Sequence, residues 1–123
     1  MKQILNKYNN FHDTVVKKVL LSYDNTQQNT LNIILDIECY DTMVNSWRLA
    51  RFVFKEVNEF AIISNQVISE ANLIQEDDNI FVDFYFGDKT SLKRIRNESR
   101  FYICFKEVEE EELMSQKGEK FRT

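Results

Sequence analysis

Apolar and polar side chains alternate along most of this sequence with a period of two residues, which is the spacing of a β-strand. The clearest example runs from Leu31 to Cys39, and similar alternation follows at Ile80–Phe86 and Phe101–Phe105. Short polar turns separate these segments, and no long helical pattern lies between them. Parallel βαβ units are therefore excluded as the main theme, because each would need a crossover helix.

The regular spacing of these segments predicts a mainly β protein with a minor α+β character. We expect an antiparallel β-sandwich or a partly closed β-barrel of about seven strands. Residues 1–10 are predicted to form a short N-terminal helix, since Ile4, Leu5 and Tyr8 recur at helical spacing. Residues 66–75 fit both helical and strand spacing, and we interpret them as an irregular turn that leads into a short strand.

Two segments near the end of the chain have a lower apolar content. Ser91–Arg96 contains only Leu92 and Ile95 as apolar residues and is predicted as a weak strand. Residues 107–123 begin with a run of glutamates and are predicted to be an acidic tail that frays. A chain of 123 residues is long enough for one core and too short for two, so residues 1–123 are predicted to form a single domain.

The composition excludes most familiar enzyme motifs. Gly87 and Gly118 are the only glycines, so the chain cannot build a Gly-rich phosphate-binding loop. His12 is the only histidine, which excludes a three-histidine zinc site. We therefore predict that the protein is not an enzyme, with no catalytic residues, no metal site and no cofactor.

The cysteines and the apolar segments give an expectation about location. Cys39 and Cys104 form no CxxC motif and are predicted to be free thiols, although neighbouring strands would permit a disulfide. Residues 1–20 lack the uninterrupted apolar stretch of a secretory signal. No segment is apolar for long enough to span a bilayer, so we predict a cytoplasmic protein without membrane contact.

Three groups of polar residues have both a chemical and a structural interpretation. His12 stands beside Asp13, but neighbouring strand residues point to opposite faces, so local hydrogen bonding is favoured. Asp36 and Glu38 share one face of a strand and are interpreted as solvated side chains. Asp83 lies between aromatic residues and, if that face is buried, needs a partner such as an arginine.

A basic cluster, Lys93, Arg94, Arg96 and Arg100, lies close to aromatic residues, as in proteins that bind single-stranded nucleic acid. The net charge of −4 argues against this function, because nucleic-acid binding needs a basic surface. We predict that these side chains pair with carboxylates of adjacent strands, and that the protein binds no nucleic acid.

Two segments carry a resemblance to a known group of proteins. The matching residues are Phe11–Thr14 before an alternating strand, then Trp47, Leu49, Phe52, Phe54, Val57 and Phe60. Over roughly residues 10–105, this pattern is similar to small immunity proteins of bacterial polymorphic-toxin and contact-dependent inhibition systems, and to uncharacterised relatives of them. The resemblance implies a non-catalytic protein that binds and neutralises one cognate toxin domain in the cytosol.

A toxin partner would suggest which surface residues bind it. Many toxins act on nucleic acids and present basic clefts, so acidic turn residues are candidates: Glu76, Asp77, Asp78 and Asp88. Exposed aromatic residues anchor many interfaces, and the candidates of this kind are Tyr40, Trp47 and Tyr85. An exposed strand edge would also permit a homodimer.

Two alternatives to the protein-binding function remain open. One is a small-molecule carrier with an apolar cavity inside a closed barrel, which the ten phenylalanines could line or fill. The other is a small enzyme whose activity depends on His12 or Asp83.

Overall fold

The structure is a computed structural model and describes residues 1–27, 29–62 and 67–113. Within these ranges the chain is mainly β, with two antiparallel sheets, one of them curled into a half-barrel, and a short N-terminal helix. The helices are α1 (Lys2–Lys7) and α2 (Leu92–Glu98). The strands are β1 (Thr14–Asp24), β2 (Thr30–Asp41), β3 (Ser46–Val57), β4 (Glu59–Ile62), β5 (Val67–Ile68), β6 (Asn72–Glu76), β7 (Asn79–Asp83), β8 (Phe101–Phe105) and β9 (Glu107–Glu112). The predicted fold class is confirmed.

The first sheet has the strand order β5-β1-β2-β3-β9, and the three long strands form its centre. Its register shifts in two places, and each shift accommodates one extra residue. In β1 the extra residue is Lys17, and in β3 the backbone turns at Glu56, where φ is 53°. Such bulges bend a strand and increase its twist, which explains why this sheet curls.

The second sheet, with the order β4-β8-β7-β6, packs against the concave inner face of the first. Alternate side chains of β2 and β3 point inwards and are fully or almost fully buried: Ile33, Leu35, Ile37, Cys39, Ala50, Phe52 and Phe54. The ring of Phe54 meets Phe105 of β8 edge-on, with 4.9 Å between centroids. Helix α1 and the 3₁₀ turn after it cover one end of this core with the buried rings of Tyr8 and Phe11.

Helix α2 packs on the other face of the second sheet, around buried Ile95. The prediction of a strand at Ser91–Arg96 is wrong. Ser91 caps the helix by accepting a hydrogen bond from the Arg94 N–H at 3.1 Å. Leu92 and Ile95 are three positions apart, which is helical spacing, and two apolar residues were too few to separate helix from strand.

The acidic segment differs from its prediction as well. Residues 107–112 do not fray but form β9, which pairs with β3 from Ala50 to Lys55. Lys55 supports this pairing with an ion pair to Glu109 at 2.8 Å. The remainder of the predicted tail, residues 114–123, lies outside the described residues.

The extent and the number of the strands also differ from the prediction. The strand predicted at Ile80–Phe86 ends at Asp83, and an irregular loop follows. The described ranges hold nine strands rather than about seven, because alternation in the sequence indicates neither β5 nor β9. Cys39 and Cys104 are free thiols, as predicted, and both are buried. None of the described helices is long and apolar enough to cross a membrane.

Candidate functional site

The hairpin that joins β2 to β3 exposes a group of large apolar side chains. Met43 is 78% exposed, Val44 56% and Trp47 53%. Tyr40 lies opposite Trp47 in the strand register, and the two rings meet edge-on with 5.7 Å between centroids. We call Tyr40, Met43, Val44 and Trp47 the aromatic hairpin. Clustered exposed aromatic and methionine side chains of this kind are typical of binding surfaces.

Hydrogen bonds hold the tip of the hairpin in one conformation. The buried carboxylate of Asp41 accepts the Met43 N–H at 2.9 Å and the Arg48 Nη1–H at 2.8 Å. Thr42 donates its N–H and its hydroxyl to the carbonyl of Lys7, at 2.9 and 2.8 Å, which ties the loop to α1. Burial would raise the pKa of Asp41, but the Met43 and Arg48 hydrogen bonds and nearby cations outweigh it and hold the pKa below its usual value.

A polar cluster lies behind the hairpin, between α1 and the inner face of the first sheet. The fully buried Tyr8 donates its hydroxyl to Glu110 of β9, and the Lys7 ammonium contacts the same carboxylate at 3.0 Å. Burial, the Glu110 hydrogen bond and the negative charge there raise the pKa of Tyr8. Burial, with Glu110 and Asp41 nearby, raises the pKa of the Cys39 thiol to about 12. Cys39 is therefore a protonated structural thiol at neutral pH, not a nucleophile.

The four acidic candidates do not come together in the structure. Glu76, Asp77 and Asp78 occupy the β6–β7 turn. Asp88 lies at the other end of the same hairpin, where its carbonyl accepts a hydrogen bond from Asn72. These residues belong to the second sheet and its loops, whereas the aromatic hairpin belongs to the first sheet.

The three aromatic candidates divide in the same way. Tyr40 and Trp47 lie together on the outer face of the first sheet, away from the second sheet. Tyr85 is 42% exposed and stacks edge-on with Phe86, in the loop beside α2. The sequence therefore indicated half of the aromatic hairpin. Its other half, Met43 and Val44, was hidden in a loop interpreted as polar, although two adjacent apolar residues in a turn are themselves a signal.

Of the two carboxylates that share a face of β2, Asp36 differs from its prediction. Asp36 is not solvated: it is 5% exposed and accepts two hydrogen bonds from Arg51, at 2.7 and 2.9 Å. Arg51 reaches it because the two residues lie opposite each other on β2 and β3. Glu38, two residues further on, is exposed as predicted.

Asp83 is fully buried, but its partner is not an arginine. It accepts the Ser99 hydroxyl at 2.6 Å and the Phe86 N–H at 3.1 Å. The N–H of Tyr85 lies 3.3 Å from the same carboxylate. Asp83 therefore fixes the loop after β7, and its neutral hydrogen-bond donors were not identifiable from the sequence.

His12 remains a surface residue with local contacts. Its side chain is 54% exposed, its Nε2 lies 3.2 Å from Asp13, and its Nδ1 lies 3.8 Å from Glu70. In the basic cluster, Arg96 pairs with Glu59 of the adjacent strand at 3.0 Å, as predicted for such residues. Arg94 instead pairs with Glu98 of its own helix and lies 4.1 Å from the Phe86 ring.

An open groove of about 800 Å³ lies between α1 and the loop after β7. Its lining mixes apolar Leu5 and Ile74 with charged Lys2, Glu70 and Asp88. It lies at the β6 edge of the second sheet, and Leu5 and Ala71 of the buried core also contribute to its lining. No group of three potential metal ligands occurs among the described residues.

No protein-family model, no curated protein and no solved structure matches this chain. The two-segment resemblance to bacterial immunity proteins therefore stays a hypothesis. The aromatic hairpin is the candidate site that the geometry itself singles out.

Proposed function

We propose that this chain is a non-enzymatic protein-binding module whose aromatic hairpin inserts into a partner protein. The observation that carries the proposal is the exposure of Trp47, Met43 and Val44 on a loop that hydrogen bonds hold in place. Tryptophan is among the residues that contribute most to binding energy when a partner buries it.

The fixed conformation of the hairpin favours tight binding. A loop that is ordered before binding loses little conformational entropy on association. Asp41 supplies part of that order by bonding to Met43 and Arg48 within the hairpin, and Thr42 bonds the turn to α1. We expect an interface of standard size, about 800 Å² per partner, with Trp47 near its centre.

The partner that we propose is a bacterial toxin domain, neutralised in the cytoplasm. The resemblance to immunity proteins supports this choice, and Trp47 is among the residues that carry it. The net charge of −4 favours encounter with a basic partner. Glu76, Asp77, Asp78 and Asp88 would then contribute through the long-range field rather than through direct contact.

Co-expression with the product of the neighbouring gene tests the proposal. If that product is toxic, the wild-type chain should restore growth, and Trp47→Ala should weaken binding at least thirty-fold and lose the protection. Tyr85→Ala, which removes an exposed aromatic side chain elsewhere, is the matched control and should protect as well as wild type. Failure of the wild type to protect, or full protection by Trp47→Ala at equal protein level, contradicts the proposal.

A further inference from the structure

Strand β1 has a long free edge in the part of the chain that the structure describes. β5 pairs with β1 only at Thr14 and Val15. One edge of β1 pairs with β2 from Lys18 to Asp24. Along its opposite edge no described strand pairs with β1 beyond Val15, and the side chains from Lys17 to Leu21 are exposed. An edge of this length offers a row of backbone N–H and C=O groups to another strand.

The free edge is also apolar. Val19, Leu21 and Tyr23 lie on the inner face, and they are 39%, 46% and 66% exposed. Leu20, on the outer face, is 45% exposed. Proteins usually protect such edges with lysines or prolines, and between Val19 and Tyr23 this strand has neither.

Charges on the outer face show how the sheet would continue. Four residues opposite one another across the first sheet alternate in sign: Lys18, Asp36, Arg51 and Glu111. Lys18 is the last member of this row at the free edge. The next strand would therefore best place a carboxylate beside it.

We propose that the occupant of this edge is a second copy of the same chain, paired antiparallel through β1 with a two-fold axis at Leu21. In this register Asp24 of each copy lies beside Lys18 of the other. The alternating row of charges in each copy is thereby extended by one residue, the Asp24 of the other copy. Val19 of each copy faces Tyr23 of the other on the inner face. Leu21 meets its own counterpart.

The sequence of β1 distinguishes this register from its alternatives. β1 is basic near its start, at Lys17 and Lys18, and acidic at its end, at Asp24. Parallel pairing would place Lys18 beside Lys18. A two-fold axis at Leu20 would place Lys18 beside Ser22, without charge complementarity. A two-fold axis normal to the sheet keeps each face continuous, so the apolar inner surfaces of both copies join.

Sedimentation and light scattering of the full chain test the proposal. We expect the wild type to have twice the 14.8 kDa mass of the chain at micromolar concentration. Leu21→Lys places two lysines together at the axis and should yield the monomer mass. Val44→Lys also replaces an exposed aliphatic side chain with lysine, but on the aromatic hairpin, and it should leave the dimer intact.

A charge exchange identifies the register. Asp24→Lys should weaken dimerisation about 2- to 30-fold, because two Lys18 contacts per dimer become repulsive. Adding Lys18→Asp to it reverses both charges and should recover most of the affinity. Independently, Leu21→Cys should form a disulfide-linked dimer on oxidation, and Val44→Cys should not.

Several outcomes would overturn the inference. One is a wild type that remains a monomer at every concentration. Another is a Leu21→Lys variant that has the circular dichroism spectrum of the wild type and still forms the dimer. If Leu21→Cys formed no disulfide-linked dimer on oxidation, a two-fold axis at Leu21 would be excluded. A monomer that adds a strand of a different protein at β1 would exclude the second copy as occupant. None of these results bears on the aromatic hairpin, which Trp47→Ala tests separately.

Discussion

Strands β1 and β2 pair along most of their length, yet their inner-face side chains are buried on β2 and exposed on β1. Leu35 and Ile33 of β2 are fully buried, whereas Val19 and Leu21, directly opposite them on β1, are 39% and 46% exposed. An apolar stripe thus shows that a strand has a face to bury. It does not show whether the residues that bury this face come from the same chain or from another one.

The difference has a structural cause. The second sheet and α1 cover the inner faces of β2 and β3, and β1 extends past them beyond Val16. We call the β2 and β3 inner face the covered region and Lys17–Tyr23 the open region. Side chains of the covered region stabilise the fold, and we expect those of the open region to act mainly in association.

The largest expected effect compares two residues that face each other across the regions. Leu35→Ala removes a fully buried side chain and should lower the free energy of unfolding by about 2–5 kcal/mol. Val19→Ala should cost less than about 1 kcal/mol in the monomer, because solvent already reaches the side chain. Urea unfolding at submicromolar concentration measures both. Equal costs would show that the open region belongs to the core.

The sequence predicted the covered region well. Alternation from Leu31 to Cys39 identified its inward residues, because a strand with one buried face has the same period in sequence and in structure. In β3, likewise, Phe52 points inward and Val53 outward, as the two-residue period of a strand requires.

The remaining features depend on partners distant in sequence. Glu110 belongs to a strand because β3 is available beside it, and its charge is matched by Lys7, far away in the chain. Asp36 is buried because Arg51 lies opposite. Half of the candidate site was predictable, since Tyr40 and Trp47 are aromatic, but their exposure depends on which face the second sheet covers.

A smaller effect compares two tyrosines. Tyr8→Phe removes the donor to Glu110 in the covered region and should cost about 1–2 kcal/mol, because a partly buried carboxylate loses a hydrogen bond. Tyr23→Phe, at a residue that is 66% exposed in the open region, should change the free energy of unfolding by less than about 0.5 kcal/mol. Urea unfolding of both variants at pH 7 provides the comparison. If Tyr8→Phe left the free energy of unfolding unchanged, the contact with Lys7 would be sufficient for the Glu110 carboxylate.

The smallest effect concerns acid, and it compares a buried with an exposed aspartate. Asp41 anchors the aromatic hairpin, and its pKa is lowered because the Met43 and Arg48 hydrogen bonds outweigh the effect of burial. Asp24, at the exposed end of β1, also has a lowered pKa, chiefly from the Thr26 hydroxyl and N–H. A folded-state pKa below the unfolded value means that the unfolded chain binds protons more readily.

Stability from Asp41 is therefore complete above about pH 4, the usual pKa of an aspartate, and is lost as the pH falls through its lower folded value. Urea unfolding between pH 7 and pH 2 should show this decline, and Asp41→Asn should flatten it. Asp24→Asn should flatten the curve less, because solvent and salt screen an exposed carboxylate. If both variants flattened it equally, the buried contacts of Asp41 with Met43 and Arg48 would hold the aromatic hairpin no more firmly than the exposed contacts of Asp24 hold its turn.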